Sequence, residues 1–317
     1  MEIKNYSVGE EAKIFELFEL AFSKKISFEY WNWRFIKNPI SNPMIKLMWD
    51  NDLLVGHYAV SPYMLKYFDE TILTALSMTT MTHPNYAGKG IFGTLAENLY
   101  GEFSTSENLK AVWGFPNNNS HYGFIKNLNW KNLELFPSFS LATNKFKHTN
   151  NSLFSSFKNF NIKHINAIEL VNKNYSVYSK RSLEYLNWRY SQNPINMYDY
   201  FEYSQNDISY FIITKKFDSF SDPKLQEIDI LELFIPNNFE ILHTCISNIL
   251  DFYEDKSISK INSWLPLNDL KHILFEKAGF IQTTPITYSG IVVLDDNYSK
   301  LAVQQNWFIS MGDSDIY

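Results

Sequence analysis

The chain contains a partial copy of itself. Residues 26–40 read ISFEYWNWRFIKNPI and residues 181–195 read RSLEYLNWRYSQNPI. Nine of these fifteen positions are identical, among them Ser27/Ser182, Trp33/Trp188, Arg34/Arg189 and Pro39/Pro194. Two further matches follow in the same order. Met81-Thr82-His83-Pro84-Asn85 answers Leu233-Phe234-Ile235-Pro236-Asn237, and Phe115-Pro116-Asn117-Asn118 answers Leu265-Pro266-Leu267-Asn268. The offset falls from 155 to 152 to 150, as a few loop deletions would produce. Three anchors in one order indicate a duplication. Whatever fold residues 1–147 adopt, residues 148–317 must adopt a version of it, with a tail beyond.

Periodicity supplies the elements. In 10–22 the residues Ile14, Leu17, Phe18, Ala21 and Phe22 share one helical face. Ser27 can cap a short helix that must stop before Pro39. Strands are expected at 44–49, 53–62, 71–82 and 109–115, with helices at 91–103 and 119–127. A closing segment, 136–146, leads to a polar link at 147–156. The second half repeats this with strands at 198–203, 209–215, 225–235 and 260–265 and helices at 239–253 and 267–277. Strands alternating with helices predict an α/β (α+β) fold in two domains, each a mixed, mainly antiparallel sheet flanked by helices.

The halves differ at one loop. After Pro84 the chain reads Asn85-Tyr86-Ala87-Gly88-Lys89-Gly90-Ile91-Phe92-Gly93 and enters a helix, whereas after Pro236 it reads Asn237-Asn238-Phe239-Glu240-Ile241, without glycine. A strand, a glycine turn and a helix N-terminus together make an anion site, because main-chain N–H groups converge at the positive end of the helix. A pyrophosphate fits such a site. Since the second copy keeps strand and helix without the glycines, the fold itself does not demand them. Gly88-Lys89-Gly90-Ile91-Phe92-Gly93 also satisfies G-x-G-x-x-G. A dinucleotide site, however, expects an acid at the tip of the next strand, and here that strand ends in Pro116-Asn117-Asn118.

The segment 82–92 resembles the acyl-CoA loop of the GNAT superfamily, whose pattern Gln/Arg-x-x-Gly-x-Gly/Ala falls on Ala87, Gly90 and Phe92. Gly90 matches; Ala87 and Phe92 depart from the pattern. Asn118 and the helix after it resemble the family segment that contacts the pantetheine arm, with Ile125 at the position of the usual tyrosine acid. The tail 307–315 is similar to the ending of tandem GNAT proteins found with surface-polysaccharide genes. The resemblance implies an N-acyltransferase that takes acetyl-CoA or another acyl-CoA as co-substrate. Met81, Thr82, Ala87, Gly88, Lys89, Gly90, Ile91, Phe92 and Asn118 would hold that co-substrate. A main-chain N–H at Met81–Thr82 would meet the oxyanion.

Acyl transfer to an amine also needs a base to free the nucleophile. His83, at the strand tip beside the loop, is the first candidate; a histidine capping the turn is its structural alternative. His121 and Tyr122 open the helix that faces the acyl group in this family, and Tyr122 could stand in for the absent acid. His57 reads as structural. Asp313, Asp315 and the carboxylate of Tyr317 could reach the cleft of the first half from the tail. Trp33-Arg34 and Trp188-Arg189 occur in both halves and therefore read as structural, tryptophan in the core and arginine on a local carboxylate.

The bulk properties narrow the partners. A net charge of −6 leaves no basic footprint for nucleic acid. The single cysteine, Cys245, excludes an internal disulfide, and the seven histidines show no metal-ligand spacing. No signal peptide is visible and no apolar run reaches the ~20 residues of a membrane span, so a cytoplasmic protein is expected. The acceptor implied by the resemblance is an amine on a small molecule, an amino sugar or nucleotide-linked amino sugar leading. Two alternatives stay open: an aminoacyl transferase like the FemABX group, and a non-catalytic CoA-binding scaffold. A homodimer is compatible with the sequence.

Overall fold

The computed structural model describes residues 1–219, 221–253, 257–266, 269–303 and 307–317. Of the third repeat anchor, Leu267 and Asn268 lie outside the described residues. In chain order the elements are β1 (Glu2–Asn5), α1 (Glu11–Phe22), α2 (Phe28–Trp31), β2 (Met44–Asp50), β3 (Leu53–Tyr67), β4 (Glu70–Thr82), α3 (Ile91–Ser106), β5 (Ala111–Gly114), α4 (Asn118–Asn127) and β6 (Lys131–Ala142). There follow β7 (Ser155–Ser156), α5 (Ile162–Asn172), β8 (Val177–Ser179), α6 (Leu183–Leu186), β9 (Asp199–Gln205), β10 (Ile208–Asp218), β11 (Gln226–Phe234) and α7 (Phe239–Tyr253). The last are β12 (Ile258–Trp264), α8 (Leu270–Ala278), β13 (Ile281–Val293) and β14 (Trp307–Phe308).

The chain forms two compact units. The first comprises residues 1–133, 192–195 and 288–306; the second comprises 134–191, 196–287 and 307–317. They are not the contiguous halves, 1–147 and 148–317, that a single cut between the repeats would give. The first unit orders its strands β1-β2-β3-β4-β5 and closes on residues 288–293 of β13; the second orders them β6-β12-β11-β10-β9-β7, with residues 281–287 of β13 beside β6. In the first, β3 runs antiparallel to β4, β4 parallel to β5, and β5 antiparallel to β13. In the second, β10 runs antiparallel to β11, β11 parallel to β12, and β12 antiparallel to β6. The pattern is the same, but each unit takes its last strand from the other half of the sequence. Helical periodicity reports faces rather than partners, so this exchange has no local signature.

In the first unit both sheet faces are covered. Met44 and Met48 of β2 pack with Leu95 and Leu99 of α3, and the alternate residues Ile45 and Leu47 pack with Ile14, Leu17 and Trp31 of α1 and α2. The period of two in β2 thus feeds two separate layers.

The sequence repeat is also a repeat of local structure. Ser27 caps α2 by accepting from the Tyr30 N–H, and Ser182 caps α6 from the Tyr185 N–H, both at 3.1 Å. Each short helix runs on into one π-turn, Asn32–Ile36 or Asn187–Ser191. The Asn38 and Asn193 side chains then accept from the N–H groups of Ile40 and Ile195. Trp33 and Trp188 are buried. Arg34 reaches the Met78 sulfur, and Arg189 donates to the Tyr198 hydroxyl and to the main-chain oxygens of Ser314 and Tyr317.

Asp313, one of three tail carboxylates that could reach the first half's cleft, instead closes a knot inside the second unit. Arg181, itself 1% exposed, donates to Glu232 at 2.8 Å and to Asp313 at 2.9 Å. Ser179 and Ser310 complete the ring of donors on the two carboxylates. Gly312 is required there: a β-carbon would stand 2.3 Å from the Tyr190 hydroxyl and 2.5 Å from Glu232 Oε1. Among the described residues no helix is long and apolar enough to cross a membrane.

Candidate active site

The first unit's sheet opens between β4 and β5. The two strands pair only at Ala75↔Val112 and Leu76↔Trp113. β5 then ends at Gly114, while β4 continues to Thr82. The divergence coincides with a bulge, where Met81 faces His57 and Met78 faces Ala59, leaving two residues of β4 opposite Tyr58. Thr79, inside the bulge, has φ +50. For a β-branched residue this is a strained backbone, costing roughly 1–3 kcal/mol, and such strain persists where a site needs it. The second unit carries its own bulge at the matching position, since Ile213 faces Glu232 and Thr214 faces Ile230.

His57 fixes the bulge. Its Nδ1 lies 2.8 Å from the Thr79 carbonyl oxygen, so the neutral ring donates from Nδ1. The imidazole is fully buried, and burial pushes its pKa down to about 4. The unfolded chain binds that proton near pH 6.5 and the folded one only near 4. Stability from this group is therefore complete above the unfolded value and is lost as pH falls from about 6.5 to about 4, a span of about 3 kcal/mol. Urea unfolding of wild type and His57→Gln across that range should show the steeper acid loss in wild type; parallel curves would refute the assignment.

Ladder alternation decides which amide looks into the opening. The His83 N–H donates to the Val55 carbonyl at 2.9 Å. Neighbouring residues of an antiparallel strand point their N–H groups to opposite sides, so Thr82 turns its N–H toward the side that β5 has vacated. Met81 does not: its N–H points toward β3, and its side chain is buried among Ile14, Leu17 and Trp31.

Beyond β4 a short turn, Pro84–Tyr86, leads into the glycines. Gly88 and Gly90 have φ of +76 and +74, and nothing lies within 4 Å of where their β-carbons would be. Gly90 is the N-cap of α3 and provides no side-chain cap. The N–H groups of Ile91, Phe92 and Gly93 in the first turn thus face an exposed, side-chain-free cradle. The second unit closes the same point itself: Asn238 Oδ1 accepts from the Ile241 N–H at the start of α7. Lys89 is exposed beside the cradle, its ammonium 4.2 Å from the Tyr86 ring centre, and the Tyr86 hydroxyl donates to Asp50 at 2.6 Å. An anion meets donors here and finds no competing cap.

Below the loop, aromatic packing holds α3 on the sheet. The Tyr58 hydroxyl lies 3.0 Å from Ser77 Oγ on β4 and 2.9 Å from the Tyr100 hydroxyl on α3, to which Trp130 also donates. Phe92 contacts Tyr58 and Phe124 edge-on, which couples the loop's last residues to α4.

The side chains singled out for proton transfer are already engaged. His83 Nδ1 accepts from the Asn85 N–H at 3.2 Å, the turn-capping arrangement, which leaves the ring proton on Nε2. His121 Nε2 is 2.6 Å from Asn132 Oδ1, and its ring stacks on Tyr288 at 4.2 Å. Tyr122 is 64% exposed and accepts from Lys126. Asn118 is exposed at the start of α4. Sequence reasoning missed the positive φ of Thr79, because threonine does not signal it. Among the described residues no cluster of three or more His, Cys, Asp or Glu is placed to hold a metal.

Residues 2–132 match the acetyltransferase (GNAT) domain family. Over this stretch, less than half of its 317 residues, the chain is similar to a GNAT acetyltransferase domain. The match spans β1 to α4 and therefore the opening, the glycine cradle and the Asn118 helix. Acyl-CoA such as acetyl-CoA is the co-substrate of this family, and the match supports an acetyltransferase. No curated protein matches the chain. Solved structures agree in fold. A GCN5-related N-acetyltransferase from Anabaena variabilis superposes with TM-score 0.71 at 12% identity, covering 95% of this chain and 75% of that one. A probable N-acyltransferase from Enterococcus faecalis gives 0.72 at 11% (94% and 73%). A GCN5-related N-acetyltransferase from Kribbella flavida gives 0.69 at 10% (95% and 74%). Identities this low speak for the fold alone.

Proposed function

We propose that the protein is a tandem GNAT-like N-acyltransferase whose first unit binds acyl-CoA and passes the acyl group to a primary amine of a small molecule. The observation that carries this reading is the contrast at the two helix N-termini: α3 is left uncapped behind two positive-φ glycines, while α7 is capped by Asn238. The Ala87 N–H already donates to the Pro84 carbonyl, so the pyrophosphate would take the amides of residues 88–93, with Lys89 screening its charge. The Thr82 N–H would point at the thioester oxygen, a donor worth ~3–4 kcal/mol when pre-aimed. Asn118 would meet the pantetheine arm.

The reaction is balanced without further reactants. The amine nitrogen attacks the thioester carbon, the C–N bond forms, the C–S bond breaks, and the proton lost by the amine ends on the departing thiolate or in solvent. We assign proton removal to His83, which must first release the Asn85 N–H to expose Nδ1. Tyr122 and His121 are secondary candidates for proton return, each after leaving its present partner. The acceptor we favour is an amino sugar or nucleotide-linked amino sugar, from the tail's resemblance and a composition with 17% aromatic residues. A cytoplasmic setting suits a CoA-dependent reaction.

The test is release of free thiol from acetyl-CoA with a panel of small amines and amino sugars. Thiol release dependent on one amine class supports the proposal. No release with any amine, together with tight CoA binding, would overturn it in favour of a CoA-binding scaffold.

A further inference from the structure

A cavity of about 670 Å³ lies away from the glycine loop, in the second unit. Its floor is one face of β10, β11, β12 and β6, and the register lays the side chains out in rows. Lys215, Asp229, Asn262 and Ser140 are successive cross-strand partners; Phe217, Glu227 and Lys260 form the next row. This face carries charges and amides where the opposite face is apolar, which by itself describes any solvated sheet surface.

Two observations separate it from one. Asp229 is only 6% exposed although it lines the cavity, whereas carboxylates on wet sheet faces stay in water. The polar row is also pre-ordered by bonds that all run toward the acids. Ser140 donates to Asn262 Oδ1 at 2.7 Å, and Asn262 Nδ2 donates to Asp229 at 3.1 Å and to Glu227 at 3.0 Å. Thr283 Oγ1 stands 3.1 Å from Ser140 Oγ and extends the row.

The amide of Asn262 has two N–H groups and spends them on two different carboxylates. Glu227 is further satisfied by Ser219 at 2.7 Å. Among the described residues, Asp229 receives one hydrogen bond, from Asn262, where a carboxylate can accept about four. Burial pushes its pKa up to about 7, with Asn262 and Lys215 pulling the other way and Glu227 adding to the rise. Lys260 stands 3.7 Å from Glu227, and Lys215 faces Asp229 across the ladder without closing an ion pair on it, so among the described residues Asp229 has no cationic donor in contact. Around that point lie hydroxyls and the Lys260 ammonium, suited to neutral oxygens, and walls from Phe217, Pro285 and Tyr317 suited to a ring face.

We propose that this cavity is a ligand site belonging to the second unit, built for a small hydroxylated primary amine held by its ammonium on Asp229 and by its hydroxyls on the Ser140–Thr283 side. It requires nothing of the glycine loop and stands or falls separately from acyl transfer.

The probe is D-glucosamine, with D-glucose and cyclohexylamine as the hydroxyl-only and amine-only controls. Calorimetry on the full chain without CoA should give glucosamine an affinity about tenfold or more above either control. Asp229→Asn, nearly isosteric, should lose at least that factor, and Gly90→Glu should lose nothing. In wild type, hydrogen-exchange protection by glucosamine should fall on peptides from β11 and β12, a readout that needs no variant. Absence of binding, equal binding of glucose, or no protection of β11 and β12 would overturn the proposal.

Discussion

Gly90→Glu is expected to abolish CoA binding, and Asn238→Glu at the matching point of the second unit is expected to leave it unchanged. Three effects act together at Gly90. Its φ of +74 is strained for any residue with a β-carbon, at roughly 1–3 kcal/mol. The new side chain would extend into space that nothing now fills within 4 Å. A carboxylate there would cap the α3 amides itself and repel a diphosphate. Like-charge juxtaposition costs several kcal/mol, so the combined loss is about a thousandfold or more. Calorimetric titration with CoA measures it, with the unfolding midpoint checking that the variant is folded. Equal affinity in Gly90→Glu and wild type would remove the basis for the loop assignment. Gly90→Ala carries the backbone term without the charge and should fall between the two.

Arg181→Ala should be the most destabilising single change outside the apolar cores, by about 3–5 kcal/mol. Arg181 is fully buried and neutralises Glu232 and Asp313, both themselves buried. Burial raises the Glu232 pKa while Arg181 lowers it. Without the guanidinium, two carboxylates remain in the interior with no cation. The loss should lower the melting temperature of the second unit by about 10 °C. Gly312→Ala should act on the same knot, because its β-carbon collides with Tyr190 and Glu232. An Arg181→Ala variant unfolding within 1 kcal/mol of wild type, about the scatter of ordinary surface changes, would show that the knot contributes little.

Much of the fold could be read from residue spacing because it is local. The Ser27 cap, the helix face of α1, and the glycine loop each depend on neighbours within a few positions. What escaped reading was non-local or unmarked. The segment Ile162–Asn172 forms α5, capped by Asn161 with His164 reaching back; its interspersed asparagines diluted the apolar stripe. The tail leaves open that Asp313 reaches the first half's cleft; its partner Arg181 lies far back in the chain, and no spacing announces the pair. At the site, the glycines announced the cradle. Thr79 hid the bulge, and the choice between Met81 and Thr82 needed the ladder register. His83, His121 and Tyr122 were chosen by residue type, and the bonds that now occupy them come from turns and stacking that type alone does not reveal.

The strand exchange also bears on how the molecule is made. On the ribosome, β5 emerges long before β13, its eventual neighbour, so the first unit must wait with an open, hydrogen-bonding edge until the residues of β13 have been synthesised. Pairings between such distant segments are slow to form and leave the nascent chain prone to association. A gene fragment stopped after the polar link would encode an acyltransferase domain missing one of its own strands. Expression of the first unit therefore needs the residues of β13 as well.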